Sequence, residues 1–396
     1  MGSLTTWLRT LRASRASVTF LAILAVFASA LLSPATPALA GETSPATVGG
    51  AALASTGLVL DAPGATALPK LSAGSFLLAD LGTGDVLAAR NPHGHLRPAS
   101  TLKVLTAVTL LPQLDPASVY TARWEDANTE GSRVGIVPDA TYTVQQLFQG
   151  MFLMSGNDAA SALANAAGSR RSTVTGMSTT ARALGALDTS VRNPTGLDAP
   201  GQYTSAYDLA LFARAGLARQ DFRDYVTTVR ARFPGKMPKH GKTRKTFAIY
   251  TQDRLLLNYR GAIGVKTGWT TKARGTFIGA ATRNGHTLVA TVLHTKFASW
   301  EESRALLDWG FANIDKARPV GSLNQIKLAA QASPVRQTGA IAKTTATSAI
   351  GGSSGLPLPL WAWVPIGLLV AVLALRTRVL LRQRAIRLRY PSRRAY

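Results

Sequence analysis

Three short clusters carry the residue types best suited to chemistry in this chain of 396 residues: Ser100-Thr101-Leu102-Lys103, Ser155-Gly156-Asn157 and Lys266-Thr267-Gly268-Trp269-Thr270. A serine hydroxyl is a poor nucleophile until a neighbouring base takes its proton. Lys103 stands three residues after Ser100, a spacing that puts both side chains on one face of a helical turn. A helix beginning there also offers backbone N–H groups to an oxyanion. Protonation is the obstacle, because an ordinary lysine is neutral in only about one molecule in 2,500 at pH 7. Burial and a nearby positive charge both favour the neutral amine, and Lys266 is the candidate for that charge. Ser155 and Asn157 can bring a hydroxyl and an amide into the same cleft. Lys266 and Thr267 offer donors to a carboxylate, while Gly268 permits close approach.

Taken singly these signals are weak. A chain of this composition contains roughly one S-x-x-K by chance, and roughly one such chain in ten contains K-T-G. Their order and spacing carry the weight, and together they describe acyl transfer by a serine with a lysine base. Other motifs lack the right surroundings. Gly351-Gly352-Ser353-Ser354-Gly355 matches G-x-S-x-G but has no strand before it, as a nucleophile elbow requires. Gly241-Lys242-Thr243 ends like a phosphate loop, yet Lys236 occupies the position of its first glycine. His93 and His95 have no partner cluster at metal-ligand spacing and read as a surface turn, so no metal site is expected.

The elements that position these residues follow from periodicity and turn chemistry. Ser75 to Asp80 and Asp85 to Ala89 flank Leu81-Gly82-Thr83-Gly84, a hairpin signal. Thr276 to Thr282 and Thr287 to Leu293 flank a turn containing Asn284-Gly285, the favoured pair for a tight hairpin. Gly264 to Thr267 reads as an adjoining strand. Helical periodicity marks Thr101–Leu111, Thr143–Leu153, Ala159–Ala167, Ser205–Gly216 and Glu301–Ile314. Strands at both ends with helices between them predict an α+β fold, an antiparallel sheet formed from both ends of the domain with a helical insert.

The ends of the chain point to export. Arg9, Arg12 and Arg15 precede an apolar run from Val18 to Leu32, and Ala38-Leu39-Ala40 is a small-x-small site before Gly41. Residues 1–40 therefore read as a secretory signal peptide; uncleaved, the run would serve as an anchor. Residues 41–69 read as a leader, residues 70–315 as the catalytic domain, and residues 316–355 as a flexible tether rich in Ser, Thr and Gly. Leu356 to Leu375 is uncharged and mostly apolar, and as a helix it would be about 30 Å long, enough to span a bilayer. Eight arginines and no acid follow in residues 376–396, which sets that tail in the cytoplasm and the catalytic domain outside. Of the formal charge of +24, +3 lies in residues 1–40 and +8 in the tail, leaving +13 between them. A basic exported surface suits anionic wall polymers or lipid headgroups, and export argues against nucleic acid as a partner. With no cysteine present, disulfides, cysteine nucleophiles and cysteine-based zinc sites are excluded.

Over about residues 70–315 the chain resembles the low-molecular-weight penicillin-binding proteins, the serine-type D-alanyl-D-alanine carboxypeptidases. The resemblance extends beyond the three clusters to Pro98-Ala99 before Ser100, Asp158-Ala159-Ala160 after Asn157, Asn193-Pro194-Thr195-Gly196-Leu197, and Leu306-Leu307-Asp308-Trp309-Gly310-Phe311. It implies a penicillin-binding/β-lactamase-like fold and a substrate, the peptidoglycan stem peptide ending in D-Ala-D-Ala, with β-lactams as inhibitors and no cofactor. By the resemblance Ser100 attacks the penultimate D-alanine carbonyl and Lys103 accepts its proton. Ser155 and Asn157 relay the proton and hold the amide, and Lys266 and Thr267 bind the terminal carboxylate. The N–H groups of Ser100 and Trp269 would form the oxyanion hole. Arg254, in Thr251-Gln252-Asp253-Arg254-Leu255-Leu256, is a further candidate for the carboxylate.

Alternatives share this site. A β-lactamase of class A activates its deacylating water with a glutamate, and no Glu occurs between Glu130 and Glu301. A D,D-endopeptidase or transpeptidase uses the same residues. A sensor that binds β-lactams without turnover would signal through the tail, but those 21 residues hold no recognisable signalling domain.

Overall fold

The computed structural model describes residues 47–238, 243–296 and 298–324. Its strands are β1 (Leu58–Leu60), β2 (Ser75–Asp80), β3 (Asp85–Arg90), β4 (Val119–Thr121), β5 (Thr141–Thr143), β6 (Arg230–Pro234), β7 (Thr246–Tyr250), β8 (Ala262–Thr270), β9 (Arg274–Arg283), β10 (His286–Thr295) and β11 (Gly321–Ser322). The main sheet runs β1-β3-β2-β10-β9-β8, with β11 also on β3, and every pairing is antiparallel. Strands from opposite ends of the domain thus meet at the β2–β10 pair. Between them lie helices Lys103–Leu110, Val144–Leu153, Asn157–Ala166, Arg170–Ala183, Ala206–Leu217 and Gln220–Thr227. This is the α+β architecture that the periodicity predicts.

Side-chain alternation along the strands explains why the sheet is covered on both faces. Phe76, Leu78, Leu288, Ala290 and Val292 pack with Leu306, Leu307 and Trp309 of helix Ser299–Ala312. Leu77, Ala79, Val289 and Leu293 join the larger core with Leu209, Ala210 and Phe212 of helix Ala206–Leu217. A strand buried on both faces loses its polar alternation, and all six residues of β2 are buried. The tight turn at Asn284 and Gly285 has φ of 49° and 82°, the doubly positive form that Asn-Gly favours.

Three features depart from the expectations. Helix Arg170–Ala183 has no strong apolar stripe and buries only Thr173, Met177 and Ala181. Its start is fixed by a capping box in which Ser169 Oγ accepts from Ser172 N. The β6–β7 hairpin spans a basic segment with no short turn signal. The domain also outgrows the predicted boundaries of 70 and 315. β1 lies in the expected leader and β11 in the expected tether, and both pair with β3. Leu53 and Leu323 are buried, Tyr207 Oη donates to Ser322 O at 2.7 Å, and Trp309 Nε1 donates to Thr66 O at 2.8 Å. Strands of three and two residues are too short to show a period in sequence, and tertiary pairing alone defines them. Residues 1–40 and 356–396 lie outside the described residues. Among the described residues no helix is long and apolar enough to cross a membrane.

A chain ended at Asp315 loses β11, the Leu323 side chain and the acceptor of Tyr207. It is expected to unfold with about 2–4 kcal/mol less stability than one ended at Asn324, as measured by urea denaturation of the two.

Candidate active site

Ser100 lies in a single 3₁₀ turn, Ala99–Leu102, and Lys103 opens the α-helix that follows. In a 3₁₀ turn residues i and i+3 eclipse, so the nucleophile and the lysine meet directly: Lys103 Nζ is 2.9 Å from Ser100 Oγ. The turn is held from below. Pro98 O accepts from Thr101 Oγ1 at 2.6 Å and from Thr276 Oγ1 of β9 at 3.0 Å. Ala99, just before the serine, has φ 47°, a strained left-handed conformation fixed by the packing around it.

The surroundings of Lys103 determine its state. The side chain is 0 % exposed. Besides Ser100 Oγ, its Nζ has two partners, Asn157 Oδ1 and Thr195 O, each at 2.6 Å. Asn157 Nδ2 donates to Glu130 O at 2.7 Å, which fixes the amide with its oxygen towards the lysine. Both close partners are acceptors only. A neutral amine has two N–H groups and one lone pair, so the carbonyls take the N–H groups and the lone pair is left for the Ser100 hydroxyl. Burial, and then the charge of Lys266, hold Lys103 well below the usual lysine range, with Asp158 partly opposing them.

Lys266 comes from β8, the last strand of the sheet, which pairs with β9 on one side only. It is 2 % exposed, and its Nζ donates to Ser155 Oγ at 2.9 Å and to Thr267 O at 2.7 Å. Burial brings its pKa down to about 7, against the raising effect of Asp253. Ser155 itself has φ 54°, a second strained residue at the site. It links Lys266 to the loop that precedes helix Asn157–Ala166. Asp158 anchors that corner, accepting from Val134 N, Gly135 N and Ile136 N at 2.8–3.1 Å.

Two glycines are required by close approach. A Cβ on Gly268 would stand 2.8 Å from Ser100 N and collide with Thr276 Oγ1, so β8 can lie against the nucleophile turn only with glycine there. A Cβ on Gly196, at φ 83°, would overlap Ala99 O. Gly196 lies in the Asn193–Leu197 loop, which Asn193 Oδ1 organises by accepting from Thr195 N, Thr195 Oγ1 and Gly196 N. The result is an open cleft of about 360 Å³ lined by Ser100, Asn157, Leu197, Asp198, Trp269 and Thr270 among others. Trp269 stands at its rim, 69 % exposed.

All the candidate residues from the three clusters converge here. Arg254 does not: its guanidinium lies over the Trp300 ring, 5.8 Å from the centroid. The carbonyls of Thr195 and Glu130 and the carboxylate of Asp158 were not singled out by sequence. The first two act through backbone atoms, and only the Asn-Pro-Thr-Gly-Leu block pointed to that loop.

Fold and site together bring a serine, two buried lysines and an open cleft to one edge of the sheet. A family model described as D-alanyl-D-alanine carboxypeptidase, peptidase family S11, matches residues 62–296, more than half of the chain, and the chain belongs to that family. The D-alanyl-D-alanine carboxypeptidase DacB2 of Mycobacterium tuberculosis is 39% identical over 267 residues, 66% of this chain and 89% of the relative. A crystal structure of a D-alanyl-D-alanine carboxypeptidase from the same organism superposes with a TM-score of 0.62 at 38% identity, covering 67% of this chain and all of that one. The Streptomyces K15 DD-transpeptidase matches with a TM-score of 0.59 at 28% identity, over 62% of this chain and all of its own.

Gly268→Ala is expected to push the Ser100 turn out of register. Acylation by penicillin should fall at least about tenfold, with a stability loss of about 1–3 kcal/mol, read from adduct formation and thermal melting.

Proposed function

We propose that the cleft removes the terminal D-alanine from peptidoglycan stem peptides ending in D-Ala-D-Ala, through an acyl-enzyme on Ser100. The observation that carries this reading is the contact of the buried Lys103 Nζ with Ser100 Oγ at 2.9 Å: once the amine is neutral, its two carbonyl partners take its N–H groups and its lone pair faces the hydroxyl. Ser100 Oγ attacks the penultimate carbonyl as its proton passes to Lys103. Ser155, hydrogen-bonded to Lys266, relays a proton to the leaving amine, and Asn157 holds the substrate amide. Lys266 as an ammonium, with Thr267, binds the terminal carboxylate. Gly268 lets the substrate strand lie along the free edge of β8, where Trp269 and Thr270 border it. The N–H groups of Ser100 and Trp269 receive the oxyanion. D-Alanine leaves and water hydrolyses the ester.

The same site would be acylated by β-lactams, and no glutamate between Glu130 and Glu301 is available to hasten their release. The likeness to the K15 DD-transpeptidase supports transfer to an amine as a variant of the second step. Residues 1–40 as an export signal and Leu356 to Leu375 as a single membrane span would hold the domain on the outer side of the cell membrane.

Residues 41–355 should release D-alanine from a pentapeptide ending in D-Ala-D-Ala and form a long-lived penicillin adduct that Ser100→Ala abolishes. Rapid penicillin turnover without D-alanine release would instead identify a β-lactamase. The pH profile of kcat/KM carries a second test. The reaction needs Lys103 neutral and Lys266 charged, so activity should rise as Lys103 loses its proton and fall above about pH 7 as Lys266 loses its own.

A further inference from the structure

Behind Lys266 lies a carboxylate that the mechanism above does not use. Asp253 is 5 % exposed. Its Oδ1 accepts from Leu256 N at 3.1 Å and caps the short helix Arg254–Asn258. Its Oδ2 is buried without a hydrogen-bond partner among the described residues. Asp253 and Lys266 line one small cavity of about 10 Å³ with Leu153, Val226, Val265 and Thr267, close to the size that admits a single water.

The cap alone does not explain a carboxylate here. Ser, Thr or Asn caps a helix as well, and none of them brings a charge into an enclosed pocket. An unpartnered buried carboxylate oxygen is costly unless a cation compensates it. The titratable and charged groups around the pair come from several elements. Lys103 lies across the cleft, lowered by the charge of Lys266 and raised by that of Asp158. Tyr225 borders the cavity, and burial pushes its phenol up to about 12, so it stays neutral. Arg254 directs its guanidinium over Trp300. Lys266 is therefore the cation that Asp253 faces.

We propose that Asp253 is a positioning residue that keeps Lys266 in its ammonium form, so that a wholly buried lysine retains the charge with which it holds the substrate carboxylate. This rests on the carboxylate-binding role proposed above for Lys266. Charge influences run in both directions: Asp253 raises Lys266, and Lys266 partly offsets the burial that lifts Asp253 to about 6. Between about pH 6 and pH 7 the pair is then mainly an ammonium and a carboxylate lining one cavity.

The test is Asp253→Asn in the full chain, with Asp253→Ser as a second variant. Both keep a capping oxygen and remove the charge. The readout is the second-order rate constant for acylation by benzylpenicillin, a carboxylate-bearing probe, followed from about pH 5 to pH 9. Without Asp253 the alkaline limb should move to lower pH by about one unit, giving about a tenfold slower acylation at pH 8 and little change at the acid end. Profiles that superimpose on the wild type, with or without a lower melting temperature, would reduce Asp253 to a helix cap and overturn the proposal. The D-alanine assay is separate: a wild-type chain that is acylated by penicillin yet releases no D-alanine sinks the activity reading and leaves this comparison intact.

Discussion

Two lysine side chains are fully enclosed around one cleft, and this constraint organises the site. Enclosed ammonium groups repel each other and lack water to solvate them. Lys103 gives up its proton first, because burial strips its ammonium of water and the charge of Lys266 opposes its own. Once Lys103 is neutral, no cation among the described residues opposes Lys266, which can remain charged with Asp253 behind it. One lysine becomes a base and the other an anion receptor, although both start from the same side chain. The difference lies in the charge each one meets: a second lysine for Lys103, a buried carboxylate for Lys266.

That division needs four separate stretches of chain held to a few tenths of an ångström. The 3₁₀ turn supplies the nucleophile and the base on one eclipsed face. β8 supplies the second lysine from a strand whose outer edge is unpaired in the sheet. The Asn193–Leu197 loop and the segment around Glu130 supply backbone acceptors that fix Lys103 and Asn157. Close contacts fasten these pieces to one another: Gly268 against Ser100 N, Gly196 against Ala99 O, and Thr276 against Pro98 O. The positive φ values at Ala99 and Ser155 fall at two of these junctions, as expected where packing overrides local preference.

The side-chain part of this arrangement was legible in the sequence, because Ser100, Lys103, Ser155, Asn157 and Lys266 are identified by type and spacing. The sheet was legible too, since β2, β3, β9 and β10 have clear turns and apolar runs. What stayed hidden has physical causes. Thr195 and Glu130 act at the lysine and amide through main-chain oxygens, and every residue has one. Asp158 bonds to backbone N–H groups more than twenty residues away in sequence, a closure that no local pattern encodes. Helix Arg170–Ala183 is built from Ser, Thr and Arg with a narrow buried stripe, which resembles a polar loop in composition. Arg254 follows a charged pattern near the K-T-G strand, yet the aromatic face of Trp300 claims it.

The pairing of β1 and β11 with the same strand has a mechanical consequence. β3 receives both ends of the folded body, and β2, β10 and β9 separate it from β8. At about 4.8 Å per strand, the catalytic edge stands roughly 19 Å from β3 and roughly 24 Å from β11, the last described strand. A pull transmitted along the chain beyond residue 324 would load the β3 side of the sheet, and the stiff layers between would shield the geometry around Ser100 from it. The last described strand and the catalytic edge thus occupy opposite margins of one sheet.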